Sequence, residues 1–288
     1  DHIEVIRIMQ AAALDGGQFA VAMPRGFGKT SLTLAACLWA MLYGHRKFLV
    51  IVAAESSAAN QLLESIKTDL ECNDLLLQDF PEVCYPIRKL DGISHRANGQ
   101  THAGERTRIT WTGDEIVLPS IPGSKAAASI VRVVGITGRI RGMNFARPDG
   151  AKIRPDLVMI DDPQTDESAR SPAQTLVRMN IIAGAILGLA GSGKKIAAVM
   201  PCTVIYPDDL ADQMLSREKF PQWQGVRTKL MVSMPTDLTL WEQYKVIRQD
   251  SLRAGNGITA ATDFYVANQP AMDAGAAVSW PVRFTFSP

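Results

Sequence analysis

The feature that most constrains the fold of this chain is a glycine-rich loop, MPRGFGKTS (23–31), between an apolar run and a helical one. FAVAM (19–23) predicts a short buried strand, and SLTLAACLWAMLYG (31–44) predicts a helix. A loop in this place presents backbone N–H groups and the positive end of a helix to one point, as in phosphate-binding P-loops. The match to Gly-x-x-x-x-Gly-Lys-Ser/Thr is incomplete, because Met23 replaces the first glycine and Arg25 lies inside the loop.

The P-loop mechanism assigns a role to each residue of this loop. Lys29 is expected to reach the β- and γ-phosphates, and Thr30 is expected to bind Mg²⁺. The N–H groups from Gly26 to Thr30 would surround the phosphate oxygens. The residues expected at the nucleotide are therefore Pro24, Arg25, Gly26, Phe27, Gly28, Lys29, Thr30 and Ser31. The alternative is a glycine-rich strand-to-helix turn that contains GKT by chance.

A second glycine-rich run, GLAGSGKK (188–195), keeps both glycines and the lysine. It follows a helical stretch and precedes a strand, so its N–H groups would lie at the negative end of a helix dipole. Lys195 also stands where Ser or Thr would bind Mg²⁺. We interpret this run as a helix C-cap and turn, and we expect nucleotide at the first loop.

Strand and helix patterns alternate along the chain and indicate an α/β fold. RKFLVIVAAE (46–55) predicts a second strand and is followed by a helical run, which gives the βαβα order of a parallel sheet. LVMIDD (157–162) and KIAAVMPCT (195–203) predict two further buried strands. We predict a P-loop core over residues 1–231 and a small, mostly helical subdomain over residues 232–288.

Two carboxylates end the LVMIDD strand. A P-loop ATPase needs a strand near the loop, the Walker B strand, that ends in one carboxylate for the Mg²⁺ shell and a second that orients water. Asp161 is placed for magnesium and Asp162 for water, although Asp162 is one methylene shorter than the commoner Glu. The alternative is a strand that ends in a polar turn. Thr203 ends the next buried strand, where it would sense the γ-phosphate or simply cap the strand.

Composition narrows the function only slightly. The 30 Lys and Arg residues nearly balance the 29 Asp and Glu residues, so contact with DNA would need a local basic patch. The longest apolar runs are of strand length, and no secretory signal is evident, so we expect no membrane span. The sequence opens at Asp1 without Met, as expected of a fragment. The cysteines form no CxxC pair and indicate a reducing compartment: Cys37, Cys72, Cys84 and Cys202.

Four motifs occur in order along most of the chain: AMPRGFGKTS, GRIRGMNF, RPDLVMIDDPQ and CTVIYPDDLADQML. Together they resemble the ATPase domain of the large terminase subunit of tailed bacteriophages, which packages DNA into a preformed capsid. MDAGAAVSWPVRF (272–284) resembles the stretch before that family's nuclease domain. The resemblance implies a RecA-like P-loop NTPase of the additional-strand branch, with a central, mostly parallel sheet flanked by helices and a small C-terminal helical subdomain.

The resemblance also gives roles to three arginines. The family tolerates a non-glycine residue at the first loop position and has an arginine at the position of Arg25, which would contact the γ-phosphate within the same subunit. Arg141, with Arg139 as its neighbouring candidate, matches the region that supplies an arginine to an adjacent subunit. Each guanidinium would neutralise charge on the transferred phosphoryl group. The alternatives are DNA contacts or ion pairs with Asp161 or Asp166.

Two further positions match nucleotide-sensing motifs of the family. Gln10 lies upstream of the loop, as the adenine-reading glutamine does, and its alternative is a solvent-facing helix glutamine. Thr203 matches the coupling motif, although Cys202 replaces the glycine often found before it.

The function implied by the resemblance is Mg²⁺-dependent ATP hydrolysis that moves double-stranded DNA through a portal into a procapsid. The partners would be DNA, the portal, the small terminase subunit and further copies of the chain in a ring, in the cytoplasm of an infected bacterium. We expect no DNA cleavage, because the family's nuclease domain would follow Pro288. The rival functions are another P-loop translocase, such as a helicase, and a nucleotide-binding switch or assembly module without turnover.

Overall fold

The structure is a computed structural model that describes residues 2–146, 152–191, 193 and 196–283. The chain forms two compact units, a larger one from His2 to Arg227 and a smaller one that begins at Thr228. In chain order the strands are β1 (Gly17–Ala22), β2 (Phe48–Ala53), β3 (Thr101–His102), β4 (Glu105–Arg106), β5 (Thr110–Trp111), β6 (Glu115–Val117), β7 (Ile130–Gly135), β8 (Phe145–Ala146), β9 (Lys152–Ile153), β10 (Leu157–Asp161), β11 (Ala197–Cys202), β12 (Trp223–Arg227), β13 (Met231–Ser233) and β14 (Ala277–Val278).

Most helices of the larger unit lie between these strands, and the two of the smaller unit follow β13. The α-helices are α1 (His2–Asp15), α2 (Lys29–Leu42), α3 (Ser56–Cys72), α4 (Asp74–Asp79), α5 (Pro81–Arg88), α6 (Asp166–Ala169), α7 (Pro172–Ile181), α8 (Leu210–Met214), α9 (Thr239–Arg253) and α10 (Thr259–Met272). A 3₁₀ turn covers Ser94–Ala97, and a π-helical turn, Ile182–Ile186, continues α7. Among the described helices, none is long and apolar enough to cross a membrane.

An eight-stranded sheet forms the centre of the larger unit, in the order β12-β1-β11-β10-β2-β7-β6-β5. The strands from β12 to β7 are parallel, and β6 and β5 add an antiparallel edge. β11 lies between the loop strand β1 and the carboxylate strand β10. This inserted strand confirms the predicted α/β P-loop fold of the additional-strand type.

Helices cover both faces of this sheet, which explains why β2 and β11 are buried at every position. The side chains of β2 alternate between two apolar clusters. Leu49 and Ile51 belong to the cluster under α2, α3 and α5, whereas Val50 and Val52 belong to the cluster that includes Ile182 from the π turn. The sheet is therefore the rigid middle layer on which the loops are positioned.

The parallel strands fix where the functional loops meet. Because β1, β11, β10, β2 and β7 run in the same direction, their carboxyl ends share one edge of the sheet. The glycine loop follows β1, the two carboxylates end β10, and Thr203 follows β11. In open α/β sheets, ligands bind at this edge.

The smaller unit consists of the helices α9 and α10 and the antiparallel ribbon of β13 and β14. Trp241 Nε1 donates a hydrogen bond to the Met272 carbonyl over 2.7 Å, and the Tyr265 hydroxyl lies 2.8 Å from Asp273 Oδ2. The first contact ties the start of α9 to the end of α10, and the second lies within α10 and its C-cap.

Candidate nucleotide-binding site

The glycine loop has the backbone shape of an anion-binding nest. Gly26 and Gly28 adopt left-handed conformations, with φ of 82° and 75°, on either side of Phe27. Alternating hands turn successive N–H groups toward one concave side, and α2, which begins at Lys29, adds the positive end of its dipole. A Cβ on Gly28 would meet nothing within 4 Å, so the left-handed backbone rather than crowding favours glycine there.

The two unusual positions of the loop have different environments. Met23 is a core position with 2% exposure, and its N–H donates to the Cys202 carbonyl at 3.1 Å, so it extends the pairing of β1 with β11. Phe27 is also buried, and the His2 ring stacks against it. Methionine is therefore accepted at the first glycine position because the chain there is still extended and buried.

The lysine and the threonine of the loop each meet one of the two carboxylates at the end of β10. Lys29 Nζ lies 3.0 Å from Asp162 Oδ2, and the lysine side chain is 9% exposed. The Thr30 hydroxyl donates to Asp161 Oδ1, also over 3.0 Å. The fold thus brings together the four side chains predicted for phosphate, magnesium and water.

The backbone at Asp162 is unusual for a residue with a side chain. Its φ is 36°, in the left-handed region that costs a non-glycine residue on the order of 1–3 kcal/mol. Its N–H donates to the Pro201 carbonyl at 3.0 Å, which anchors the strained residue to β11. Such strain is found at functional sites, and here it accompanies the turn that brings the carboxylate to Lys29.

Asp161 has the chemistry of a magnesium ligand. Burial, followed by the neighbouring Asp162 charge, raises the pKa of Asp161 to about 6, while the Thr30 hydrogen bond and Lys29 act in the opposite direction. A divalent cation would offset the cost of that half-buried charge. Thr30 and Asp161 supply hard oxygen atoms at one point, and Mg²⁺ takes few protein ligands when it is shared with phosphates. In the described part of the chain, no group of three or more His, Cys, Asp or Glu residues forms a separate metal site.

Arg25 points from the glycine loop toward the loop that follows β10. Its Nη2 lies 2.9 Å from Asp166 Oδ1, and the two side chains are 73% and 63% exposed. The structure therefore contains one of the interactions predicted as alternatives for the arginines, an ion pair between Arg25 and Asp166. Exposed pairs contribute little to stability, so a phosphate group could compete for this guanidinium.

Arg139 and Arg141 lie in the loop after β7, on the same sheet edge as the glycine loop. Both side chains are exposed. The Arg141 guanidinium lies beside Gly184 of the π turn, with Nη2 3.8 Å from the position that a Cβ atom on Gly184 would take. β7 is four strand positions from β1, or about 19 Å at the usual strand spacing. Among the described ion pairs, neither arginine contacts Asp161 or Asp166.

Three other predicted nucleotide-site residues lie on α2, on α1 and directly after β11. Ser31 is exposed in the first turn of α2. Gln10 is exposed on α1, about 12 Å along the helix from His2, which contacts the loop. The Thr203 hydroxyl is buried and has no hydrogen-bond partner among the described residues. The adenine and coupling roles of Gln10 and Thr203 stay predictions.

Two buried polar residues near the site were not identified from the sequence. Gln164 Nε2 donates to Asp209 Oδ2 at 2.7 Å and to the Thr203 carbonyl at 3.2 Å. Asp209 caps α8 by accepting a hydrogen bond from the Asp212 N–H. The Asp-Leu-Ala-Asp pattern does signal a helix N-cap, but no local signal indicates that Gln164 lies against it.

The second glycine-rich run lies elsewhere in the fold. It follows the π turn and leads into the amino end of β11, which is the sheet edge opposite the glycine loop. Gly191 and Gly193 have positive φ angles of 82° and 73°, as a turn requires. Lys194 and Lys195 lie outside the described residues.

No family model and no curated protein matches this sequence. Its structural neighbours include the large terminase ATPase domain of Thermus phage P74-26, with a TM-score of 0.40 and 11% identity over 86% of this chain and 90% of that one. They also include the Phi-28 gp11 DNA packaging motor, with a TM-score of 0.36 and 14% identity over 84% of this chain and 64% of that one. The fold assignment itself rests on the strand order and on the loop geometry.

Proposed function

We propose that this chain is a Mg²⁺-dependent ATPase that drives double-stranded DNA into a viral procapsid. The observation that carries the proposal is the double contact of Lys29 with Asp162 and of Thr30 with Asp161, each over 3.0 Å. It joins a phosphate-binding loop to a carboxylate pair at the carboxyl edge of a parallel sheet.

The glycine loop would bind the triphosphate of ATP. The nest around Gly26 and Gly28 offers N–H groups, α2 adds its dipole, and Lys29 supplies a full positive charge. Lys29 would turn from Asp162 toward the β- and γ-phosphates, because its amine is held only by that ion pair among the described contacts. Gln10 would read the adenine.

Thr30 and Asp161 would hold Mg²⁺ at the glycine loop. When bound, the metal neutralises charge that develops on the transferred phosphoryl group. Asp162, released from Lys29, would accept a hydrogen bond from the attacking water and orient it toward the γ-phosphorus. Its left-handed backbone keeps the short side chain directed at the loop.

Arginines would supply the remaining positive charge. Arg25 would leave Asp166 and contact the γ-phosphate within its own subunit, a change supported by the high exposure of that pair. Arg141 or Arg139 would act on the site of a neighbouring subunit, which the distance of β7 from β1 supports. This arrangement requires a ring of subunits.

The partners follow from the motif resemblance rather than from a contact in the structure. We propose double-stranded DNA as the substrate that moves, the portal of the procapsid as the docking partner and the small terminase subunit as a cofactor protein, in the cytoplasm of an infected bacterium. Thr203 would sense the γ-phosphate and transmit its loss to the following segment.

A second function, a nucleotide-dependent switch without turnover, is favoured by one observation. Asp162 is both short and engaged by Lys29, so water activation by this residue needs a rearrangement. Two measurements distinguish the two functions. One is phosphate release from Mg²⁺-ATP, with and without linear duplex DNA, and the other is nucleotide binding by calorimetry. Turnover that is lost in Lys29→Ala supports the motor, whereas binding without any turnover favours the switch. Strand displacement from a tailed duplex would instead point to a helicase-like translocase.

A further inference from the structure

The loop that follows the Walker B strand (162–166) is held on its two sides by different parts of the protein. On one side, Asp162 pairs with Lys29 over 3.0 Å and Asp166 pairs with Arg25 over 2.9 Å. Both cations belong to the glycine loop and its helix. Every ionic contact described for this loop is therefore made with a residue expected at the phosphates.

The other side of this loop is held by Gln164, which lies midway between the two aspartates. Gln164 is 7% exposed. Its amide nitrogen donates to Asp209 Oδ2 at 2.7 Å and to the Thr203 carbonyl at 3.2 Å, and its amide oxygen accepts from the Leu210 N–H at 3.0 Å. This one side chain therefore joins the Walker B loop to the segment between β11 and α8.

Asp209 makes that segment respond as a unit. It is 1% exposed, and besides Gln164 it accepts from the N–H groups of Ile205 at 2.7 Å, Tyr206 at 3.0 Å and Asp212 at 2.9 Å. A buried carboxylate with four donors holds the turn over residues 205–209 and the start of α8 in one arrangement. A displacement of Gln164 consequently acts on the whole turn.

We propose that Gln164 is the positioning residue that couples nucleotide binding at the glycine loop to the segment over residues 203–215. The proposal rests on the proposed function, since it assumes that phosphates compete with Asp162 and Asp166 for Lys29 and Arg25. When phosphate takes both cations, the Walker B loop loses its ionic contacts on the nucleotide side. It keeps its hydrogen bonds, which are those of Gln164, the one from the Asp162 N–H to the Pro201 carbonyl and the one from Arg178 Nε to the Pro163 carbonyl. The loop then moves together with the turn that Asp209 organises.

Thr203 adds a second indication that this segment has more than one arrangement. Its carbonyl accepts from Gln164, but its buried hydroxyl has no partner among the described residues. A buried hydroxyl without a partner carries a desolvation cost, which a hydrogen bond gained in another arrangement of the segment would remove.

The test uses the full chain and compares Gln164→Met, which keeps the length of the side chain and removes its hydrogen bonds, with Gln61→Met at an exposed position of α3. Hydrogen exchange is followed over residues 24–30 and 203–215, with and without a non-hydrolysable Mg²⁺-ATP analogue. In the unmutated chain and in Gln61→Met, we expect nucleotide to change exchange in both segments. In Gln164→Met, we expect the change over 24–30 to persist and that over 203–215 to disappear.

Steady-state kinetics separates this role from a structural one. Gln164→Met should lower kcat by about ten- to a hundredfold through misplacement of the site while KM for ATP stays within about twofold. If Gln164→Met fails to fold, Gln164→Asn takes its place, since it keeps an amide but is one methylene too short to reach Asp209, the Thr203 carbonyl and the Leu210 N–H together. A normal response of 203–215 in the substituted chain overturns the proposal. An unmutated chain that hydrolyses ATP without any response of 203–215 overturns this proposal alone, whereas one that binds no ATP overturns the proposed function.

Discussion

Lys29 Nζ lies 3.0 Å from Asp162 Oδ2, so the lysine expected at the phosphates holds the carboxylate expected at the attacking water. The lysine side chain is 9% exposed, whereas that of Asp162 is 41% exposed. The pair therefore keeps a nearly buried ammonium neutralised and engages one oxygen of a carboxylate that is otherwise open to solvent.

Asp162→Asn should separate binding from hydrolysis. The change removes the negative charge that pairs with Lys29 but leaves the loop intact, so we expect ATP affinity to be retained or increased. Phosphate release should fall by about a hundredfold or more, as expected when a water-orienting base is lost. Calorimetry and steady-state phosphate release measure the two effects, with Asp263→Asn on the exposed face of α10 as the control. Undiminished hydrolysis would remove Asp162 from the proposed mechanism.

Asp161→Asn should stabilise the protein while abolishing Mg²⁺-dependent turnover. The folded-state pKa of about 6 lies above the ordinary value of 3.8, so the folded chain binds this proton more tightly than the unfolded chain does. The carboxylate consequently opposes folding above about pH 6, and that penalty fades as the pH falls toward 4. At pH 8 without Mg²⁺, we expect the Tm of the variant to be a few degrees higher, since about 1 kcal/mol shifts the Tm of a large domain by roughly 2–4 °C.

Thermal unfolding at pH 8 and at pH 4 tests whether the ionised Asp161 carboxylate lowers the stability of the folded chain. The difference between Asp161→Asn and the unmutated chain should shrink at the lower pH, where both carry a neutral group at this position. A variant that is less stable than the unmutated chain at pH 8 would contradict the expectation.

Arg25→Ala and Asp166→Asn should differ in activity although they break the same ion pair. The pair is exposed, so each change should alter the free energy of unfolding by less than about 1 kcal/mol. Arg25→Ala removes a group proposed for the γ-phosphate and should lower kcat, whereas Asp166→Asn leaves that guanidinium in place. Equal losses in the two variants would show that the ion pair, rather than the arginine alone, supports turnover.

If Arg141 acts on the site of a neighbouring subunit, the lost ATPase activity of Arg141→Ala should partly return when this variant is mixed with a second inactive variant. Mixing it with Lys29→Ala produces interfaces that carry one intact site and one intact arginine, so part of the phosphate release should return. Arg139→Ala mixed in the same way decides between the two neighbours. Mixtures that stay as inactive as their components would place both arginines in another role.

Gly28→Ala should weaken ATP binding by distorting the nest. The left-handed backbone, with φ of 75°, costs an alanine about 1–2 kcal/mol, although its Cβ would meet nothing within 4 Å. Gly92→Ala is a matched control, because Gly92 has φ of 70° and equally open surroundings far along the chain from the loop. Thermal unfolding should show similar losses for both variants, and only Gly28→Ala should reduce the affinity for ATP.

Local signals in the sequence were sufficient to predict those parts of the candidate site whose residues are neighbours in the chain. The strand-loop-helix context separated MPRGFGKTS from GLAGSGKK, and the two runs do lie at opposite edges of the sheet. The apolar run before Asp161 likewise indicated a buried strand with two carboxylates at its end. These features depend on hydrophobic periodicity and on glycine backbone freedom, which are properties of short segments.

The sequence by itself thus determined that MPRGFGKTS lies between a strand and a helix and that two carboxylates follow a buried strand, and its motif resemblance indicated the additional-strand fold. Only the tertiary structure decided that Thr30 meets Asp161 and Lys29 meets Asp162, that Arg25 pairs with Asp166, and that Gln164 joins the Walker B loop to Asp209. The left-handed backbone of Asp162 also has no signal in its residue type. The physical reason is that such contacts join residues far apart in the chain, from 45 positions for Gln164 and Asp209 to 141 for Arg25 and Asp166. They depend on strand order and loop direction, which short-range periodicity does not encode.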